Sequence, residues 1–156
     1  MTELLHATKT STWRSEYTIT AGGVDLVTWK NGGWERRVPF QVDGAWYAAV
    51  THRQGRDCEL HDEPGNTVAT LAGVGKRRWT LEHGTRTIRL EQTSVWSQNR
   101  VAFEGEHNVG GIRRAGTWNS TVVAELLGLD RPVQVFALMM FLQAMARADA
   151  AAAAGA

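Results

Sequence analysis

Cysteine is almost absent from this 156-residue sequence, in which Cys58 is the single example. One cysteine excludes an internal disulfide and any metal site built from several cysteines. The first residues also lack the charged start and apolar core of a secretory signal. Together these absences predict a cytoplasmic protein.

A net charge of either sign is lacking as well, because 17 basic residues face 16 acidic ones for a total of +1. This balance gives no overall electrostatic case for binding nucleic acid, so any basic surface must be local. The sequence has no nucleophile elbow, and Gly73–Arg77, which superficially resembles a phosphate loop, lies between predicted strands and opens no helix. The five histidines follow no metal-ligand spacing. We therefore predict no catalytic, cofactor or metal site.

Long apolar runs are missing except for one, at 132–146. Its polar members, Gln134 and Gln143, point in opposite directions on a helix, and a helix that is apolar all round is buried. The fourteen residues from Val133 to Ala146 span about 21 Å, which is too short for a bilayer core of about 30 Å. We predict a buried helix over about 132–148 and a flexible tail over 149–156. Its expected packing residues are Val133, Phe136, Met140, Phe141 and Met145.

Short alternating segments fill the chain between residues 16 and 126, after a loose start of about twelve residues. Ala21–Gly23 and Asp43-Gly44 are typical hairpin turns, and Pro39 favours an edge strand or a bulge. The length predicts one domain over 1–156, and the spacing predicts eleven or twelve antiparallel strands. The predicted strands are Glu16–Thr20, Val24–Lys30, Trp34–Val42, Ala45–Thr51, Asp57–His61, Thr67–Ala72, Arg78–Glu82, Arg86–Gln92, Val95–Glu104, His107–Arg114 and Trp118–Leu126. A break near Gln98-Asn99 within Val95–Glu104 is also expected.

An all-apolar helix that follows so many strands has one economical place, the lumen of a barrel that those strands close. A helix on the outside of a barrel would show a one-sided apolar stripe. Asp130 or Arg131 is expected to cap the helix before Pro132. Trp29, Trp46, Trp79 and Trp118 fall within strands and are interpreted as packing between the wall and the helix.

One polar strand and three basic clusters are the candidates for binding. Asp57, Glu59 and His61 share one face of a strand, which suits either a divalent metal or, as we favour, a solvated surface. The basic clusters are Arg36-Arg37, Lys76-Arg77-Arg78 and Arg113-Arg114. If they converge, they could attract anionic lipid headgroups; dispersed surface charge is the alternative. The residues named as an anion or lipid site are Arg36, Lys76, Arg77, Arg78 and Arg113.

Four segments resemble the tubby-like superfamily, and especially the short bacterial members of its LURP-one-related and phospholipid-scramblase-like branch. They are Val68–Ala72, Arg77–Leu81, Val109–Arg113 and Pro132–Phe141. The resemblance covers about residues 16–148 and implies a closed barrel of about twelve strands threaded by its C-terminal helix. Tubby domains bind phosphoinositides, and scramblases are linked to lipid movement and calcium. No phosphoinositide or calcium motif matches residue by residue here, so none is carried over.

We therefore expect a non-catalytic barrel that binds anionic membrane lipid, peripherally, or a protein partner through its surface, without a transmembrane span. The alternative is a barrel, or an enzyme, that holds an apolar small molecule in its mouth. Filling of the lumen discriminates between the two, since a lumen occupied by a helix has no room for a ligand.

Overall fold

A computed structural model describes residues 3–10, 16–30, 36–115 and 121–155, apart from the side chain of Gln54. They form twelve strands, a 3-10 turn at Arg53–Gly55 and one helix, α1 (Arg131–Ala154), which confirms the predicted mainly β class. The strands are β1 (Leu5–Lys9), β2 (Glu16–Ala21), β3 (Val24–Lys30), β4 (Arg37–Val42), β5 (Ala45–His52), β6 (Asp57–Asp62), β7 (Thr67–Ala72), β8 (Arg78–His83), β9 (Arg86–Ser94), β10 (Ser97–Glu104), β11 (His107–Ala115) and β12 (Thr121–Leu126).

Alternation of apolar and polar residues places one face of each strand inside. In β2, for example, Tyr17, Ile19 and Ala21 are buried while the residues between them are partly exposed. The turn at Asp43-Gly44 has positive φ at both positions, 52° and 82°, as a tight hairpin between twisted strands requires. Local sequence therefore sets the register of the wall.

All twelve strands form one antiparallel sheet that curls into a nearly closed barrel, in the order β3-β2-β1-β12-β11-β10-β9-β8-β7-β6-β5-β4. The two ends of the sheet, β3 and β4, lie beside each other without pairing among the described residues. Pro39 lies in β4, at this edge, as predicted.

The expected loose start is wrong for Leu5–Lys9, which forms β1. This strand pairs with both β12 and β2, and places Leu5 opposite Ala124 and Ala21. Only Leu5 and Ala7 of the strand are buried, so its own alternation is too short to identify it. Pairing on both sides, which closes the gap between β2 and β12, makes it a strand.

Helix α1 occupies the interior of the barrel. It lies close to β12 and β1 and also to β6 and β7, which are on the opposite side of the sheet order. Every residue over 133–142 is buried. The predicted packing residues all lie in the core: Val133, Phe136, Met140, Phe141 and Met145.

The start of α1 is held by polar contacts. Asp130 occupies the capping position, but its side chain makes no capping hydrogen bond and lies 3.3 Å from His83 Nε2 instead. Arg131 donates two bonds, of 2.7 and 2.6 Å, from Nη2 to the Glu3 carboxylate and one of 2.7 Å to Asp43 Oδ1. These bonds tie the helix start to the segment before β1 and to the β4–β5 turn.

Most predicted strand ends lie within two residues of the observed ones, but two predicted segments differ in kind. The helix continues beyond the predicted end at 148, so the tail predicted over 149–156 is helical as far as Ala154, with exposed residues over 150–155. A run of alanines has high helix propensity, so α1 persists after it leaves the barrel. Val95 does not begin a strand, because Val95 and Trp96 form the turn between β9 and β10. The predicted starts at Trp34 and Trp118 lie outside the described residues.

Candidate anion-binding end of the barrel

Successive loops of this antiparallel barrel lie at alternate ends. The last residues of β1, β3, β5, β7, β9 and β11 lie at the end where α1 leaves, and the last residues of the other strands lie at the end where α1 begins. Each end comprises the three nearest residues of every strand, the described residues that connect the strands there, and, respectively, the last turns of α1 or the start of α1 with the residues before β1. Clusters far apart in sequence can therefore meet at one end.

Basic residues gather at the end where α1 leaves, which we call the basic end. Twelve described basic residues lie there: Lys9, Lys30, Arg36, Arg37, Arg53, Arg56, Lys76, Arg77, Arg78, Arg113, Arg114 and Arg147. Four acidic residues accompany them: Glu16, Asp57, Glu59 and Asp149. The near-zero total charge thus conceals a strongly polarised molecule.

The other end, which we call the acidic end, has the opposite composition. Ten described acidic residues lie there: Glu3, Asp25, Asp43, Asp62, Glu63, Glu82, Glu104, Glu106, Glu125 and Asp130. Its basic residues are Arg86 and Arg131, and both are engaged by carboxylates. The acidic end also surrounds the N-terminus of α1, where the helix dipole favours negative charge.

All five residues predicted as an anion site lie at the basic end, and all five are exposed. Arg78 is paired with Glu91 at 2.9 Å. Arg36, Lys76, Arg77 and Arg113 form no ion pair with another described residue. The structure therefore places the three predicted clusters at the same end of the barrel, on separate strands, and leaves most of their charges without an ion-pair partner among the described residues.

A cleft of about 390 Å³ opens between two loops of the basic end. Val74 N donates to Arg56 O at 2.9 Å and joins these loops. Arg53 Nε lies 3.5 Å from Asp57 Oδ2, whereas Arg56 and Lys76 have no carboxylate partner among the described residues. Two unpaired cations on a concave surface suit a phosphate or a carboxylate. The cleft is lined by Arg53, Arg56, Asp57, Gly73 and Lys76.

The loop that carries Lys76 and Arg77 is fixed from below by Arg100. This side chain is 4% exposed, and Nη1 donates to Arg77 O at 2.6 Å. Its guanidinium lies 4.5 Å from the centre of the Trp79 ring, and burial lowers its pKa to about 10. Trp79 in turn packs against Phe141 of α1. The basic loop is thus connected to the central helix through two side chains.

Several members of the basic end were absent from the predicted site. Arg53 and Arg56 lie in a segment predicted only as a gap between strands, and Arg147 lies near the predicted end of the helix. Each of these residues is isolated from the basic clusters in sequence. Connections in an antiparallel barrel alternate between its two ends, and this alternation would have grouped Arg53 and Arg56 with the basic clusters.

Asp57, Glu59 and His61 are engaged with neighbouring side chains. Glu59 Oε2 lies 2.7 Å from His52 Nε2 and 3.5 Å from His61 Nε2. The hydrogen bond with His52 is the main cause of a lowered pKa for Glu59. Cys58 and Leu60 face the core, as the solvated-strand interpretation requires. Over the described ranges, no group of three or more His, Cys, Asp or Glu side chains is arranged to hold a metal.

Tryptophans divide into buried and exposed ones. Trp29 and Trp79 are buried in the core, as predicted for wall packing. The same prediction is wrong for Trp46, which is 48% exposed at the acidic end, and Trp118 lies outside the described residues. Trp96 is 95% exposed at the tip of the β9–β10 turn, at the basic end. The predicted site did not include Trp96.

The fold and the charge distribution define a β-barrel with a helix-filled lumen and one basic end. No family model matches the chain, and no curated protein matches it. The X-ray structure of an Arabidopsis thaliana protein, AT5G01750, is similar over 90% of this chain and 89% of that one, with 15% identity and a TM-score of 0.40.

Proposed function

We propose that this protein is a non-catalytic, tubby-like barrel of the LURP-one-related and scramblase-like branch. In this proposal it binds anionic membranes peripherally, from the cytoplasm, through its basic end. The observation that supports the binding proposal is the location of three separate basic clusters at the same end of the barrel. A twelve-stranded barrel with a buried C-terminal helix supports the tubby-like part, because the resemblance implies that architecture.

The separation of charge makes such binding directional. The buried part of α1, from Val133 to Met145, spans about 18 Å along the barrel. Charges in solvent are screened over about 10 Å at 0.1 M salt. A membrane at the basic end therefore interacts mainly with that end, and the near-zero net charge of the whole protein does not prevent attraction.

A filled lumen weighs against the alternative of an apolar ligand held in the barrel. Ten consecutive helix residues, over 133–142, are buried against the wall. By length and composition alone, α1 could cross a bilayer, but half of its most apolar eighteen-residue stretch is buried within the protein. Burial in a core explains the same composition. These observations favour binding at the outer surface.

Vesicle flotation tests the proposal. We expect the protein to float with phosphatidylcholine vesicles that contain phosphatidylserine, and to be released by salt. Each basic residue near such a surface contributes about 1 kcal/mol. Replacing Arg36, Lys76 and Arg113 together by Gln should therefore weaken binding by about 100-fold at low salt.

A matched control distinguishes a local patch from net charge. The triple variant Asp25→Asn, Glu63→Gln, Glu106→Gln removes three exposed charges at the acidic end and raises the net charge by three. We expect its vesicle binding to equal that of the unmodified protein. The membrane proposal would be refuted if the protein did not float with anionic vesicles at low salt. It would also be refuted if the basic triple variant lost as much binding to neutral vesicles as to anionic ones.

A further inference from the structure

The β9–β10 turn has unusual chemistry for its geometry. Two residues, Val95 and Trp96, connect the strands, and they are 65% and 95% exposed. Tight two-residue turns favour Gly, Asn or Asp. The other four such hairpins of the described chain each contain glycine, at Gly22-Gly23, Asp43-Gly44, Gly84-Thr85 and Gly105-Glu106. A β-branched residue and a tryptophan at a tip contribute nothing to the turn, which points to a contact outside the molecule.

Two side-chain hydrogen bonds support the hairpin behind this tip. Trp96 N donates to Ser94 Oγ at 3.3 Å, and Gln92 Nε2 donates to Ser97 O at 2.7 Å. The pairing of β9 with β10 shifts register between Ser97 and Arg100, and such a bulge redirects the end of a hairpin. Val95 and Trp96 therefore lie at the tip of a hairpin that side-chain hydrogen bonds stabilise.

Basic segments flank the hairpin on both sides. On one side, Gln92 N donates to Arg77 O at 2.9 Å, which places the loop with Lys76 and Arg77 beside β9. On the other side, Arg114 N donates to Asn99 Oδ1 at 2.9 Å, which places Arg113 and Arg114 beside β10. The most exposed tryptophan of the described chain thus projects between two cationic segments.

We propose that Val95 and Trp96 insert into the headgroup and upper acyl region of an anionic bilayer while the flanking cations bind its headgroups. Tryptophan favours the membrane interface, where its ring is partly dehydrated and its N–H remains hydrogen-bonded. Charge complementarity selects an anionic bilayer as the occupant, because positive charge surrounds the apolar tip. This proposal rests on the membrane function proposed above and adds the element that penetrates.

Trp96→Ala tests the insertion directly. On phosphatidylserine-containing vesicles at moderate salt, we expect the variant to bind about tenfold more weakly, because apolar area no longer leaves water. Its remaining binding should still be abolished by salt. Trp46→Ala is the matched control, since it removes another exposed tryptophan, at the acidic end, and should leave binding unchanged.

A fluorophore at position 95 reports depth and leaves the Trp96 side chain in place. Val95→Cys introduces a thiol at the tip, while Cys58 is 2% exposed and burial raises its pKa to about 12, so labelling is confined to position 95. An environment-sensitive dye there should shift to shorter wavelength on anionic vesicles and be quenched by brominated lipid. The same dye on Thr67→Cys, an exposed position at the acidic end, should not respond.

The outcomes separate the two proposals. If the unmodified protein floats and the basic triple variant does not, but Trp96→Ala binds normally and the dye at position 95 stays in water, the inserted tip is refuted and the electrostatic contact stands. If the unmodified protein does not bind anionic vesicles at low salt, both the membrane function and the inserted tip are refuted. Loss of binding in Trp46→Ala as well as in Trp96→Ala would also overturn the assignment to this tip.

Discussion

Removing one ring from the centre of the barrel should cost much of its stability. Phe136 lies on α1 and is fully buried within the core. Truncating a buried Phe to Ala costs about 3–5 kcal/mol, since transfer energy is lost and the cavity only partly collapses. Domains of this size unfold with about 5–15 kcal/mol in total. Phe136→Ala should therefore leave a folded but weakened protein.

Urea denaturation followed by circular dichroism measures this cost. We expect the midpoint to fall while the slope stays constant, which indicates that stability and not the extent of unfolding has changed. The melting temperature should fall by about 6–20 °C, because each kcal/mol shifts a domain of this length by about 2–4 °C.

Trp96→Ala is the control for this experiment as well. It deletes a larger side chain, but from a position that is 95% exposed, so its unfolding free energy should match the unmodified protein within about 0.5 kcal/mol. Equal stability of Phe136→Ala and the unmodified protein would refute the burial of α1. Equal destabilisation by both variants would show that ring deletion, and not position in the lumen, decides the cost.

Three further predictions concern the wall. Gly110→Ala should destabilise the barrel by about 2 kcal/mol more than Gly105→Ala in the same denaturation assay, because at φ +125° its added carbon would meet the Glu125 carbonyl oxygen, whereas Gly105 has open space. The pKa of Glu59 is lowered from its ordinary value of 4.5, so its ionised form stabilises the fold above pH 4.5, and this stability is lost as pH falls through the folded-state pKa. Glu59→Gln should therefore flatten the decline of stability below pH 4.5, and parallel pH profiles of the two proteins would contradict this. Cys58 should react with a thiol reagent only on unfolding, because burial raises its pKa to about 12, and prompt reaction in the native protein would contradict the buried position.

Periodicity predicted the parts of the fold that are determined locally. The apolar run around Phe136 and the turn at Asp43-Gly44 both indicate their structures within a few residues. β1 was missed because Leu5 and Ala7 are its only buried residues and its identity depends on pairing with β12. Trp46 was misplaced because it lies on the outer face of β5, opposite Gln41, whereas its neighbour Tyr47 packs against the core.

The candidate site needed topology in addition to motifs. Arg36, Lys76 and Arg113 belong to separate clusters, and only the alternation of loop ends brings them together. Arg56 and Trp96 lie in short turns between strands, where single residues give no periodic signal. The sequence therefore identifies each basic cluster separately. The surface that the clusters share depends on the number and order of the strands.

The position of α1 after all twelve strands has a consequence for how the protein is made. Synthesis proceeds from the N-terminus, and β1 cannot find its partner β12 until residue 126 has emerged. Pairings between distant segments are slow to form. Even then, the inner faces of the wall stay wet until the segment from Val133 to Met145 arrives. The nascent chain thus presents a sheet with uncovered apolar faces until α1 emerges, and its dependence on chaperones should be greatest just before α1 leaves the ribosome.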